Sequence, residues 1–134
     1  MRLFLALLVS AFFVTAAQAD VSVVVNRNTQ TVTATIDGAV HVWKASTGLK
    51  AHWTRPGIYG VQSMDADHYS SLYNNAPMPD SIFFNGNVGF HGTDDVGNLG
   101  SPASHGCVRL SRANAKFLFS AVRRNGQRAR IQVI

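Results

Sequence analysis

One residue in this chain of 134 can act as a soft nucleophile. Cys107 is its single cysteine. A thiol attacks well only as thiolate, so a reactive cysteine needs a base or a positive partner. Two histidines are near it in sequence. His105 lies two residues before Cys107, and His91 lies sixteen residues upstream. In an extended run His105 and Cys107 share one side of the chain. Folding could equally bring His91 against the thiol across the loop between them. Gly106 allows tight backbone geometry. The N–H groups of His105, Gly106 and Cys107 could then converge on one point, as an oxyanion hole requires. The base also needs an orienter on its second ring nitrogen. A backbone carbonyl just after His91 and the carboxylates of Asp94 and Asp95 are the candidates, and spacing does not choose among them.

Other readings of this cluster exist. A lone thiol can be an inert buried residue or can pair with another chain. It cannot make an internal disulfide, so this is not a disulfide scaffold. His91, His105 and Cys107 could hold a catalytic zinc with water as fourth ligand. Ligands only two positions apart, with no further donor in view, speak against it. His41, His52 and His68 fall on a strand and in loops and read as ordinary histidines.

The elements that must position these residues are mostly strands. Val21, Val23 and Val25 alternate, residues 27–30 make a turn, and Thr31 to Ile36 is a second β-rich run. Asp37-Gly38 signals a hairpin into a third strand, Ala39 to Lys44. From Leu49 to Pro79 the pattern loosens. Pro77 and Pro79 argue against regular structure around Met78, and residues 62–80, with Tyr69 and Tyr73, read as a loop or short lid. Ser81 to Phe84 and Asn87 to His91 then form a hairpin about Asn85-Gly86, delivering His91 to a strand end. Ser111 is an N-cap, and Ala113, Phe117, Leu118, Ala121 and Val122 form a helical stripe that stops at Asn125-Gly126. Ala129, Ile131 and Val133 mark a closing strand. These runs predict a mainly β fold, a twisted sandwich or partly closed barrel with one main helix near the C-terminus.

The ends and the charge add context. Met1-Arg2, an apolar run from Leu3 to Val14, and Ala17-Gln18-Ala19 together read as a signal peptide over residues 1–19, leaving one domain over 20–134. An exported chain of this kind resides in the periplasm or cell wall, with no stable membrane span once the signal is removed. The formal net charge is +5, every acidic residue is Asp, and seven of the twelve Lys and Arg lie from Arg109 to Arg130. That basic face suits an anionic partner such as wall polymer or headgroups. Export argues against nucleic acid.

The run His91-Gly92-Thr93, followed by Leu99-Gly100-Ser101-Pro102-Ala103-Ser104-His105-Gly106-Cys107-Val108-Arg109-Leu110, resembles the signature of L,D-transpeptidase (YkuD-type) catalytic domains. Ser46-Thr47-Gly48 resembles the family's strand-ending STG. Thr54-Arg55-Pro56-Gly57-Ile58-Tyr59 resembles its TPxGxF stretch with an arginine inserted at the second place. Met78-Pro79 resembles its MP element. The resemblance implies Cys107 as nucleophile and His91 as base, held by the carbonyl of Gly92. It implies Ser104, His105 and Gly106 as residues that shape the oxyanion turn, and Arg109 as a holder of substrate carboxylate. A structural ion pair is the other reading of Arg109.

The implied activity is acyl transfer on peptidoglycan stem peptides. A thioester forms with a tetrapeptide donor, D-alanine leaves, and an amine acceptor takes the acyl group, with no metal or organic cofactor. An L,D-carboxypeptidase on the same scaffold is the alternative enzyme. A non-catalytic wall-binding module using the basic face is the alternative outside catalysis. The small size and short 62–80 segment leave the acceptor open, and the oligomeric state is not read from sequence.

Overall fold

A computed structural model describes residues 9–13 and 20–134. Most of the expected signal peptide, residues 1–8 and 14–19, lies outside the described residues. Among the described residues nine strands and one α-helix follow in order: β1 (Val21–Asn26), β2 (Thr31–Ile36), β3 (Ala39–Lys44), β4 (Gly57–Tyr59), β5 (Ser63–Tyr69), β6 (Pro77–Asn85), β7 (Val88–Thr93), β8 (Val108–Ser111), α1 (Arg112–Arg124) and β9 (Arg130–Val133). They form a five-stranded sheet, β3-β2-β1-β9-β4, and a four-stranded sheet, β5-β6-β7-β8. Of the two architectures expected, the sandwich is the one present. Neither sheet closes on itself into a barrel.

Alternation builds the first sheet. Val21, Val23 and Val25 are buried on β1, as are Val32, Ala34 and Ile36 on β2 and Ile131 and Val133 on β9. They meet Ile82, Phe84 and Phe90 of the second sheet and Leu118, Phe119 and Val122 of α1 in one continuous core. Phe84 and Phe90 lie with ring centroids 5.2 Å apart. A buried phenylalanine contributes about 1.5–3 kcal/mol by area alone. Phe90 therefore pins the strand that carries its neighbour His91. The helix begins where Ser111 Oγ accepts from the Asn114 N–H, and its exit bonds are capped at Asn125. It packs on β6, β7 and β8.

Two hairpins show how local chemistry sets register. At Asp37 (φ 48°) and Gly38 (φ 84°) both central residues are left-handed, as a type I′ turn needs. The second hairpin is displaced by one residue from the expected Asn85-Gly86. Asn85 pairs with Val88, so the turn residues are Gly86 and Asn87. Gly86 alone has positive φ, at 60°. Glycine at the first central position suits a II′ turn, which leaves Asn85 in the ladder.

The loop expected over 62–80 is mostly sheet. β5 occupies Ser63–Tyr69 and pairs antiparallel with β6, with His68 opposite Met78 and Tyr69 opposite Pro77. Both prolines sit inside β6, against expectation. The physical reason is that β7 joins β6 only from Ile82 onward. Over 77–80 β6 has a neighbour on one side only, and a proline without an N–H is tolerated on an open edge. Only Ser70 to Ala76 remains as a turn, closed by the Ser70 and Ala76 N–H groups on the carbonyls of Ala76 and Tyr73. Among the described residues no helix is long and apolar enough to cross a membrane.

Candidate active site

The parallel pairing of β7 with β8 places the chemistry. Phe90 is opposite Val108 and His91 is opposite Arg109. Side chains alternate along strands, so Phe90, Val108 and Leu110 point to the core, and His91 and Arg109 share the other face. Cys107, two residues before Arg109, falls on that same face. All three line one cavity of about 500 Å³, together with the buried Ser104 and the exposed His105 and Tyr73. Adjacent strands thus bring the two candidates for nucleophile and base to one cavity.

His91 is 6% exposed. Its Nδ1 lies 2.8 Å from the Gly92 carbonyl oxygen. A carbonyl only accepts, so Nδ1 carries the proton, and in the neutral ring Nε2 is left as the acceptor. Neither aspartate competes for this role. Asp94 accepts from Arg112 Nε and Nη2 at 2.6 and 2.9 Å, and Asp95 accepts from Asn98 Nδ2 at 2.7 Å. Both carboxylates sit on the cavity rim with their own partners, so the orienter of His91 is the backbone.

The turn before Cys107 is tied from several sides. Ser104 Oγ donates to the Cys107 carbonyl at 2.5 Å and accepts from the Gly106 N–H at 3.1 Å. Gly106 has φ 126°, outside the range a side chain tolerates well. Its carbonyl accepts from Thr54 Oγ1 at 2.7 Å, and Thr54 Oγ1 itself accepts from the Gly48 N–H at 3.0 Å. The Ser104 N–H donates to Thr47, and the Leu49 N–H donates back to Ser104. Thr47 in turn exchanges two bonds with the buried Gln30 side chain, at 2.7 and 2.8 Å. This web corrects one expectation. Three N–H groups do not converge at the turn, because that of Gly106 is occupied by Ser104.

His105 does not join a ligand cluster. Its ring stacks on Tyr73, with centroids 4.3 Å apart at 15°, and meets His52 edge-on at 5.1 Å. His68, also on the cavity wall, has Nδ1 3.1 Å from Asp65 Oδ2. Among the described residues no group of three metal-ligating side chains gathers.

Electrostatics set the resting state of the pair. Burial pushes the Cys107 thiol up from its ordinary value, and the Gly89 N–H and the Arg109 charge pull it back only in part. Burial pushes His91 down, opposed by its bond to Gly92 and reinforced by the charges of Arg109 and His68. Both shifts favour the neutral forms, thiol and imidazole, and the thiol donates to the Asn87 carbonyl at 3.5 Å. Arg109 is half-buried and makes none of the ion pairs found among the described residues. Its structural reading is thus without a carboxylate. The wider basic face is partly neutralised, by Arg112 on Asp94 and Arg124 on Asp37.

Gln30 and Thr54 support the turn yet were not read as site residues. Thr54 had a signal in the TPxGxF-like stretch, without a role. Gln30 had none, since a glutamine in a turn gives no hint of the partner seventeen residues on.

Comparison with known proteins bears on the fold and the family. The family model described as the L,D-transpeptidase catalytic domain (YkuD) matches residues 20–132. Similar solved structures include an L,D-transpeptidase from Mycobacterium tuberculosis H37Rv, 25% identical with TM-score 0.78, covering 86% of this chain and 57% of that one. An L,D-transpeptidase from Stackebrandtia nassauensis is 26% identical with TM-score 0.75, covering 90% of this chain and 58% of that one. The C442S mutant of an Enterococcus faecium L,D-transpeptidase is 21% identical with TM-score 0.73, covering 86% and 50%. This chain thus spans about half to three-fifths of the length of these solved relatives. No curated protein sequence matches it. Signature, two-sheet fold and family model coincide over one stretch, and the chain belongs to the L,D-transpeptidase catalytic-domain family.

Proposed function

We propose that this chain is an exported cysteine acyltransferase that acts on peptidoglycan stem peptides. The observation that carries the reading is the single cavity face shared by Cys107 and His91, with His91 Nδ1 fixed on the Gly92 carbonyl. That bond leaves Nε2 free to take a proton. His91 Nε2 takes the thiol proton as Sγ attacks the carbonyl carbon of the third stem residue. The tetrahedral oxyanion is held by N–H groups of the turn that Ser104 and Gly106 shape. As it collapses, the C–N bond breaks and His91 returns the proton to the departing amine of D-alanine. A thioester on Cys107 remains. An acceptor amine resolves it by transfer, and water resolves it by hydrolysis. Arg109 holds a carboxylate of the donor from the same face, as a guanidinium does well.

The test is to incubate disaccharide-tetrapeptide with the protein and with Cys107→Ala, and to identify products by mass spectrometry. The reading expects D-alanine release and new amide-linked products from the normal protein alone. Retention of intact substrate by both proteins without turnover would favour a wall-binding module instead.

A further inference from the structure

A second cavity lies beside the first. It measures about 270 Å³, is lined by Trp53, Arg55, Asn85 and Gly106, and shares Val88 and His105 with the main cavity. Trp53 is held in place by both of its neighbours. A Cβ at Gly48 would collide with the His52 carbonyl oxygen, so glycine there lets the loop close onto the turn before Cys107. Thr54 is buried and donates to the Gly106 carbonyl. Between these anchors the Trp53 side chain is still 52% exposed. Arg27, which does not line the cavity, lies over its ring, 4.9 Å from the centroid.

The lining selects a ligand class. A fixed indole offers a flat apolar face at little cost in conformational freedom. Around it the Asn85 amide can donate and accept, and the Arg55 guanidinium can only donate. Arg55 makes no ion pair among the described residues. No carboxylate lines this cavity, whereas Asp94 and Asp95 line the main one, so a cationic ligand finds no partner here. An inorganic anion would use Arg55 and leave the indole idle. A sugar ring uses both, since it carries C–H bonds on its face and hydroxyl groups around its edge.

We infer that the second cavity binds an N-acetylated hexosamine ring, the sugar that carries the donor's stem peptide, with Trp53 stacked on its C–H face and Asn85 and Arg55 on its hydroxyl and acetamido groups. The inference rests on the acyl-transfer reading above. No bond forms or breaks in this cavity, which holds the unreactive end of the donor. The reacting carbonyl belongs to the third stem residue, and three extended residues span about 10 Å. Gly106 lines the second cavity and Cys107, next to it in the chain, lines the first. Consecutive Cα atoms are about 3.8 Å apart, so the stem has length to spare. Its route is over His105, which is exposed and lines both cavities.

The experiment compares disaccharide-tetrapeptide with the free tetrapeptide as donor and reads the rate of D-alanine release. The normal protein is expected to show a KM about fivefold lower for the disaccharide form, with similar kcat, the size of one aromatic stacking contact. Trp53→Ala removes that difference, and Trp53→Phe keeps part of it. Should Trp53→Ala fail to fold by circular dichroism, Arg55→Gln serves in its place and is expected to raise KM a few-fold for the disaccharide form alone. Equal KM for the two donors, or a difference that these variants leave intact, overturns the sugar assignment and leaves the thioester reading standing. Inorganic phosphate that competes with the disaccharide form but not with the tetrapeptide would mark an anion site and overturn it likewise. Absence of D-alanine release from either donor overturns the thioester reading itself, and the sugar assignment with it.

Discussion

The floor and the rim of the main cavity are built differently. At the floor, β7, β8 and the Ser104–Cys107 turn are pinned by Phe90, Val108 and Leu110 beneath and by bonds to Thr54, Thr47 and Gln30 behind. At the rim, the Ser70–Ala76 turn is bonded mainly to itself, and its Leu72 and Tyr73 are exposed. The exposed His105, from the turn before Cys107, stacks on Tyr73 of the rim. The difference assigns labour. Reacting atoms need positions fixed to a fraction of an ångström, which only packed strands give. On the proposed function, rim groups would meet substrate before reaction and tolerate play. Damage to the floor should thus reduce the chemical step, and damage to the rim should weaken binding.

The largest expected effect is at the nucleophile. Cys107→Ala should lower D-alanine release by about 10⁴-fold or more, read by single-turnover product analysis, with folding intact by circular dichroism. His91→Gln should cost about 10²–10⁴-fold. The pH profile gives a sharper reading of the same residue. Burial lowers the His91 pKa below 6.5, so the acid limb of activity should fall below that of an ordinary histidine. Stability follows with a definite sign. Between 6.5 and the folded value the unfolded chain binds the extra proton, so unfolding free energy drops as pH falls through that window. Denaturant titrations at several pH values should show this slope, and His91→Gln should remove it.

Smaller effects separate floor from rim. Ser104→Ala leaves the Gly106 N–H and the Cys107 carbonyl without their partner. About 1–3 kcal/mol of stability should be lost, together with most of kcat, and KM should move little. Tyr73→Ala should change stability by at most about 0.5 kcal/mol and raise donor KM a few-fold with kcat nearly kept. A Tyr73 variant that lost kcat as Ser104→Ala does would erase the distinction between the two regions.

Legibility in the sequence followed the same division. Strands whose valines alternate, such as β1 and β2, and the Ser111-capped helix were read to within a residue, because burial period and capping are local. Cys107 was a candidate by residue type, whereas His91 was preferred to His105 only through the family resemblance. The β5–β6 pair was missed because Pro77 and Pro79 carry a local signal against sheet, while the open edge that tolerates them is a tertiary fact. The Asn85-Gly86 turn slipped by one because two turn types share a glycine. Gln30 was invisible because its partner, Thr47, is brought near only by the fold. The engagement of the Gly106 N–H was missed for the same reason, as it depends on the rotamer of Ser104.

The most direct measurement is the intact mass of the protein quenched within one turnover of disaccharide-tetrapeptide, followed by peptide mapping of the modified residue. The account predicts a mass increase equal to the donor less D-alanine, carried on Cys107 as a thiol-labile ester and accumulating less in His91→Gln. Turnover with no covalent species, or an adduct on any other residue, would contradict it.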